Sequence, residues 1–107
     1  MEIGAMVNIG DKAGLDGIVG QVRALAAAGV KTAWFPQLLA LDALNTIGVV
    51  GREVPEIALG TGVVPTWPRH PMVLAGQALT TQAATSGRLI LGIGESHQLV
   101  IEGMMGI

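Results

Sequence analysis

The stretch that most constrains the fold is residues 88–98, where a short apolar run passes into glycines and then into polar side chains. Residues 89–91 show no polar alternation, so we expect a strand buried on both faces, as in a parallel sheet covered by helices. Gly92 and Gly94 allow the backbone to turn sharply or to approach a ligand closely. Because ligands bind at the carboxyl ends of parallel strands in α/β folds, the polar residues that follow mark a candidate site.

Three other segments have the composition of strands. Short apolar or β-branched runs predict strands at residues 3–7, 32–35 and 57–64. Pro36 suits the end of the second of these, because proline lacks the N–H that a sheet ladder needs. Gly60 and Gly62 lie inside the third, where a glycine usually marks a bulge or the close approach of another group.

Helical segments separate the predicted strands. Apolar residues at spacings of three, four and seven from Leu15 predict an amphipathic helix with a left-handed cap at Gly29, after a polar loop at residues 8–14. A second helix follows the N-cap candidate Asp42 and runs to about residue 54, although glycines at 48 and 51 weaken it. A third begins at Pro71, which suits a first helical turn. In that third helix one face is formed by Met72, Ala75, Leu79 and Ala83.

The alternation of strands and helices predicts an α/β fold with a parallel sheet and right-handed crossovers. Four strands are half of those in a TIM-type (β/α)8 barrel, which takes about 250 residues. If the chain folds as a barrel sequence, we expect residues 1–107 to form one partial barrel domain, the N-terminal half, either truncated or completed by oligomerisation. Its first and last strands would then be open edges that invite pairing.

Composition narrows the possible partners. Half of the 107 residues are hydrophobic and 13% are charged, against roughly 25% in an ordinary domain, so we expect a homo-oligomer or a larger structure. A net charge of -2 without a basic cluster argues against nucleic acid. The absence of cysteine excludes thiolate chemistry and suits a cytoplasmic location. We expect no metal site and no membrane span, because no segment reaches about 18 apolar residues.

Three motifs carry a family resemblance. Residues 33–37 read Ala-Trp-Phe-Pro-Gln, residues 59–63 read Leu-Gly-Thr-Gly-Val and lead to Pro-Arg-His-Pro at 68–71, and Gly-Arg-Leu at 87–89 precedes Leu-Gly-Ile-Gly at 91–94. Together they resemble the N-terminal part of the bacterial luciferase-like monooxygenase superfamily, within the branch of oxidoreductases that use the deazaflavin coenzyme F420. The resemblance covers essentially the whole chain.

The resemblance implies a barrel with its coenzyme across the C-terminal mouth, where hydride moves to or from the deazaflavin. It also implies a non-proline cis peptide between Gly62 and Val63 that supports the ring from behind. Gln37 matches a polar side chain near the ring, and the phosphate-binding elements of the family lie largely in later strands. The alternative within the family is FMN with oxygen as co-substrate.

The end of the fourth strand matches the part of the family site beside the ring and the substrate. Gly94 and Ser96 match coenzyme contacts, and Glu95 and His97 match groups near the reacting centre. An imidazole exchanges protons near neutral pH, so His97 is the candidate acid or base. The alternatives are a loop histidine that bonds locally and, for Glu95, a solvated carboxylate.

Other motifs near the strand ends leave further possibilities open. Arg69 and His70 precede the third helix and could hold an anionic group, or they could form a helix-entry turn with a surface arginine. Residues 92–94 resemble part of a dinucleotide fingerprint, but a histidine stands in place of its last glycine. Ser96 and His97 lack a third member of a hydrolytic triad.

Two classes of function follow from the sequence. The first is an oxidoreductase that transfers hydride between a deazaflavin coenzyme and a small organic substrate, with FMN-dependent monooxygenation as its alternative. The second is a non-catalytic half-barrel that associates with copies of itself through open edges and an apolar face.

Overall fold

The computed structural model describes residues 1–10, 14–37 and 39–107. It has six short strands, which are β1 (Gly4–Met6), β2 (Thr32–Phe35), β3 (Ala58–Thr61), β4 (Val64–Pro65), β5 (Leu89–Ile90) and β6 (Ile93–Gly94). Its helices are α1 (Gly14–Ala27), α2 (Ala43–Glu53), α3 (Pro71–Ala84) and a π-helix at Leu99–Met104. The predicted alternation of strands and helices is confirmed.

The strands form two parallel sheets. The larger has the order β1-β2-β3-β5, and the smaller joins β4 to β6 beyond the carboxyl ends of β3 and β5. All neighbouring strands in both sheets run in the same direction. The predicted parallel α/β architecture is therefore confirmed.

Local signals set the helix ends where the sequence predicts them. The Asp42 carboxylate accepts a hydrogen bond from the Asn45 backbone N–H at 2.9 Å and so caps α2. Pro71 is the first residue of α3, and Gly29 adopts a positive φ of 84° just after α1. The predicted loop at residues 8–14 is only partly within the described residues, because residues 11–13 lie outside them; Gly14 belongs to α1.

The core lies between the sheet and its helices. Ala33, Phe35 and Leu59 point from the strands into it and are fully buried. From the helices, Ile18 and Val22 of α1 and the buried face of α2 close over them. Covering the sheet in this way removes one of its faces from water, which is the main stabilising term in such a layer.

The other face of the sheet is open, which corrects one prediction. Met6, Trp34, Gly60 and Ile90 are register partners across the four strands and share this face. Ile90 is 43% exposed and Leu91 41%, so the expectation that residues 89–91 are buried on both faces is wrong. An apolar run indicates that a strand can be buried, but the helices of the described residues cover only one side.

The predicted strand 57–64 is broken in two, and a further short strand, β6, follows the predicted strand 89–91, which is a second correction. The Thr61 hydroxyl donates to the Gly92 carbonyl and accepts from the Gly92 N–H, both at 2.8 Å. A Cβ on Gly92 would lie 2.1 Å from the Thr61 carbonyl oxygen, so only glycine fits there. This side-chain bridge replaces the ladder between β3 and β5 and starts the smaller sheet.

Helix α3 packs through threonines. The face that contains Met72 and Leu79 points to solvent, and these side chains are 75% and 72% exposed. Thr81 and Thr85 are buried instead, and their hydroxyls donate to backbone carbonyls at 3.3 Å and 2.8 Å. A threonine with its hydroxyl satisfied on the helix backbone can be buried without the cost of an unpaired polar group.

Two long side chains secure the edge strand β5. The Arg88 guanidinium donates to three backbone carbonyls at the end of α2 and just after it, at 2.5 to 3.0 Å. The Gln82 side-chain amide accepts a hydrogen bond from the Leu89 N–H at 2.8 Å and donates one to the Leu89 carbonyl at 3.1 Å. At Leu89 the predicted open edge is therefore already hydrogen-bonded.

Candidate functional site

The residues singled out in the sequence lie at the carboxyl ends of the strands. A cis peptide joins Gly62 to Val63 between β3 and β4, as the resemblance implies. Gly94, at the end of β6, lies against Val63, because a Cβ at Gly94 would be 2.7 Å from Val63 Cγ2. Val63 is 42% exposed at this edge. These three residues form a ledge of small or branched side chains beside the open face of the sheet, and we call it the Val63 ledge.

A cavity of about 570 Å³ adjoins the strand ends. Its polar lining comes from Gln37 after β2, Arg69 before α3 and Ser96 after β6. The apolar lining is Leu39, Pro65, Pro68, Val100 and Met105. A concave, mainly apolar cavity with a few polar groups is the usual form of a small-molecule site, and this volume lies in the usual range of about 300–1,000 Å³.

Arg69 is the centre of a polar network in the cavity wall. Its guanidinium donates to Asp42 at 2.5 Å, to Gln77 at 2.9 Å and to Gln37 at 3.2 Å. The Arg69 side chain is 13% exposed and that of Asp42 28%. The prediction of a surface arginine at a helix-entry turn is therefore wrong, because the ion pair with Asp42, 27 residues away in the sequence, draws Arg69 into the wall.

Gln37 is held in place by the same network. Its side-chain oxygen accepts from the Ala43 N–H at 2.8 Å as well as from Arg69. The cap residue Asp42 therefore secures α2 and the cavity wall at once, since one carboxylate oxygen caps the helix and the other binds Arg69. Gln37 thus stands at the end of β2 as predicted, with its orientation fixed by two donors.

Glu95 and His97 lie next to the cavity and not in its wall. They border a smaller hollow of about 190 Å³ with Trp67, which is 58% exposed. Ser96 lines both spaces and has a positive φ of 64°, so the chain turns there and sends its neighbours to the second hollow. The structure brings Gln37 and Ser96 together and places Glu95 and His97 beyond them.

His70 has a structural role that the sequence left open. Its Nδ1 accepts a hydrogen bond from the Met72 N–H at 3.1 Å and caps α3. That acceptor uses one of the N–H groups that an anion would need at this helix start. The helix-entry turn is thus the arrangement found for His70.

The π-helix contributes residues that the sequence analysis missed. Apart from Glu102, residues 99–107 are apolar side chains and glycines, yet residues 99–104 form a π-helix that buries Ile101, and Val100 and Met105 line the cavity. Short π-helical segments are common at functional sites. The hydrogen bonds of a π-helix join residues five apart, and this spacing leaves no clear periodic signature in nine residues, so this wall could not be predicted from the sequence pattern.

Neither metal ligation nor membrane insertion is indicated where the structure describes the chain. Across residues 1–10, 14–37 and 39–107, no three His, Asp or Glu side chains are grouped so that they could hold a metal ion. Among the helices of these same ranges, none is long and apolar enough to cross a membrane.

The fold defines a class of protein, a parallel (β/α) layer with a cavity at its strand ends. Comparison of the sequence with protein families identifies the family within this class. The family model of luciferase-like monooxygenases matches residues 2–107, and the chain belongs to this family. A relative from Mycobacterium tuberculosis, provisionally named a coenzyme F420-dependent oxidoreductase, is 34% identical over 85 residues. That match covers 79% of this chain but 24% of the relative, so the chain spans about a quarter of its length.

Solved structures show the same fold over the whole chain. The monooxygenase RslO1 of Streptomyces bottropensis matches with a TM-score of 0.80 at 18% identity, over 37% of that chain. The oxygenating constituent of 3,6-diketocamphane monooxygenase from Pseudomonas putida, in complex with FMN, gives 0.85 at 17% identity over 33%. The coenzyme F420-dependent tetrahydromethanopterin reductase of Methanopyrus kandleri gives 0.81 at 19% identity over 30%. The four-stranded sheet is therefore a partial (β/α) barrel.

Proposed function

We propose that this chain forms the ring-binding edge of a luciferase-like oxidoreductase that transfers hydride between the deazaflavin coenzyme F420 and a small organic substrate. The observation that carries the proposal is the cavity of about 570 Å³ at the carboxyl ends of the strands, whose lining residues Pro65 and Ser96 lie two residues beyond Val63 and Gly94 of the ledge. The similarity to the F420-dependent relative supports the choice of coenzyme. When bound, the deazaflavin supplies the carbon that accepts or releases the hydride.

The described residues fit the ring part of such a coenzyme. The Val63 ledge presents Gly62, Val63 and Gly94 as an uncharged support, and the cavity offers mainly apolar walls. Gln37 and Ser96 supply polar contacts at its rim. The cation in the wall, Arg69, is already paired with Asp42, so the described residues that line the cavity offer no unpaired cation for an anionic tail. This division suits a chain that binds the ring and leaves the tail to other parts of the enzyme.

His97 and Glu95 are proposed to hold and move protons at the neighbouring hollow. Both are exposed, and the turn at Ser96 links their hollow to the cavity. An imidazole beside a carboxylate can donate or accept a proton when the substrate changes its oxidation state. Their task is therefore acid–base support of a reaction whose redox step belongs to the coenzyme.

A fluorescence titration of coenzyme F420 with the chain, with FMN in parallel, tests the proposal. We expect saturable binding of F420 at micromolar protein and weaker binding of FMN. Tighter binding of FMN would move the assignment to the FMN-dependent monooxygenases of the same family. If neither coenzyme binds, the proposal for residues 1–107 is wrong.

A second proposal is that the chain is a self-associating, non-catalytic half-barrel. It is favoured by the exposed apolar face of the four-stranded sheet, where Met6 is 62% and Ile90 43% exposed. Such a patch is normally covered by protein or ligand. Light scattering should show an oligomer that Ile90→Lys dissociates, whereas the matched change Leu79→Lys on the outer face of α3 should leave it intact. A monomeric wild-type chain would contradict this second function.

A further inference from the structure

The charge balance of the cavity wall indicates what kind of ligand the cavity accepts. Arg69 is the one formally charged residue among the described residues that line it. Its guanidinium is 2.5 Å from the Asp42 carboxylate, which stands behind it and is absent from the cavity lining. The pair is mostly shielded from water, with side-chain exposures of 13% and 28%, so solvent screens it less than a surface pair.

The guanidinium is also held by two amide oxygens. Gln77 and Gln37 accept from it at 2.9 and 3.2 Å, so together with Asp42 three protein oxygens accept from three of its five N–H groups. A carboxylate or phosphate that entered the cavity would have to compete with Asp42 for the same cation. It would also pay the cost of leaving water for a mainly apolar space without a charge partner.

We propose that Asp42 is a specificity-determining residue, which neutralises Arg69 and so makes the cavity select uncharged ligands over anionic ones. The proposal rests on the proposed function in identifying the occupants of the cavity as the deazaflavin ring and, beside it, the substrate, which is then a neutral, largely apolar molecule with one or two polar groups. Gln37 and Ser96, the uncharged polar residues of the wall, offer polar contacts to both. Asp42 acts through Arg69 and is not expected to touch the substrate.

The substitution Asp42→Asn isolates this role. Asparagine is as good an N-cap as aspartate, so its one side-chain oxygen should keep the bond to the Asn45 N–H and the helix start should survive. What is lost is the negative charge that balances the guanidinium, together with the second oxygen that accepts from Arg69. A charge-assisted bond to a ligand carboxylate then becomes available inside the cavity, with an effect of about tenfold or more on affinity.

The test uses 2-naphthamide and 2-naphthoate, which have nearly the same shape and differ in charge. Binding of each to the full chain is measured by ligand fluorescence. We expect the wild-type chain to bind the amide and to bind the carboxylate at least about tenfold more weakly. Asp42→Asn should raise the affinity for the carboxylate by about tenfold or more and change that for the amide by less than about threefold.

Two further variants keep the test decisive. Asp16→Asn removes an exposed carboxylate from the first turn of α1 and makes the same change in net charge, so it should leave both affinities unchanged. Arg69→Gln removes the cation, so the cavity should still exclude the carboxylate. This variant tests the proposal even if Asp42→Asn does not fold. Circular dichroism establishes that each variant is folded.

Several outcomes would overturn the proposal. These are equal wild-type affinities for the two probes, no binding of either, an unchanged ratio in folded Asp42→Asn, or a gain in carboxylate binding in Arg69→Gln. Neither probe contains a coenzyme, so the result is separate from the F420 titration. If F420 binds and the probes show no charge selection, this inference fails and the proposed function stands.

Discussion

At the scale of single residues, the Thr61 hydroxyl holds together the strand ends on which the site is built. It bridges both backbone groups of Gly92 at 2.8 Å, and Thr61 is fully buried. Thr61→Val keeps the shape but leaves the Gly92 N–H and carbonyl without this partner. We expect the free energy of unfolding to fall by about 1–3 kcal/mol.

Urea denaturation monitored by circular dichroism measures this change. Thr61→Ser is the matched control, because it keeps the hydroxyl and should cost less than about 1.5 kcal/mol for the lost methyl group. If the serine and valine variants are equally unstable, the bridge to Gly92 does not hold the strand ends.

His97 supports a second prediction at this scale. Its side chain is exposed at the hollow beside Ser96. In enzyme that is active with a deazaflavin or flavin coenzyme, His97→Ala should lower turnover by about 10²–10⁴-fold, the usual contribution of an acid–base group. Its free energy of unfolding should change by less than about 0.5 kcal/mol.

Steady-state kinetics and denaturation of the same preparation separate the two effects. His70→Ala is an informative comparison, because His70 caps α3 and should affect stability by about 1 kcal/mol with little effect on turnover. Unchanged turnover in His97→Ala would remove His97 from the proton-transfer role.

At the scale of elements, the structure predicts opposite effects on stability when each of two glycines in α2 is replaced by alanine. A Cβ on Gly51 would lie 2.5 Å from Thr85 Cγ2 of the turn after α3, whereas a Cβ on Gly48 would meet nothing within 4 Å. Gly51→Ala should therefore destabilise the chain by about 1–3 kcal/mol through overpacking. Gly48→Ala should stabilise it by up to about 1 kcal/mol, because alanine favours the helix.

Thermal unfolding of the two variants under the same conditions provides the check. The helix propensity gained is the same at both positions, so the difference between them reports the packing of α2 on α3. Stabilisation by both substitutions would show that these helices do not approach each other as closely as the structure indicates.

Elements that depend on local chemistry could be predicted from the sequence. The cap at Asp42, the start of α3 at Pro71 and the left-handed turn at Gly29 each depend on residues within one helical turn. The break of the strand after Thr61 depends on Gly92, which is 31 residues away. Only the folded chain brings these two together, and the sequence therefore predicted one continuous strand.

The same distinction explains the site. The family resemblance implied Gln37, Gly62, Val63, Gly94 and Ser96, and the fold holds them at one edge because parallel strands end together. The network of Arg69 with Asp42 joins residues 27 positions apart. The π-helix wall has no pattern that distinguishes it from an apolar loop. The sequence analysis therefore missed the features that depend on long-range pairing or on an unusual helical period.

At the scale of the whole molecule, the chain is one layer of a larger architecture. Helices cover one face of the four-stranded sheet, while Met6 and Ile90 leave the other face apolar and exposed. The high hydrophobic fraction that the composition shows is explained by this second face. In a (β/α)8 barrel it would be the packed interior, so its burial needs residues beyond this sheet.

The measurement that tests the central claim most directly is an amide chemical-shift map of the chain on addition of coenzyme F420. We predict shifts at Gln37, Val63 and Ser96, at the carboxyl ends of the strands, and none at Lys31 and Ala58, at the amino ends. This result would place the coenzyme at the cavity and the Val63 ledge. Shifts confined to the amino ends, or none at saturating coenzyme, would contradict the account.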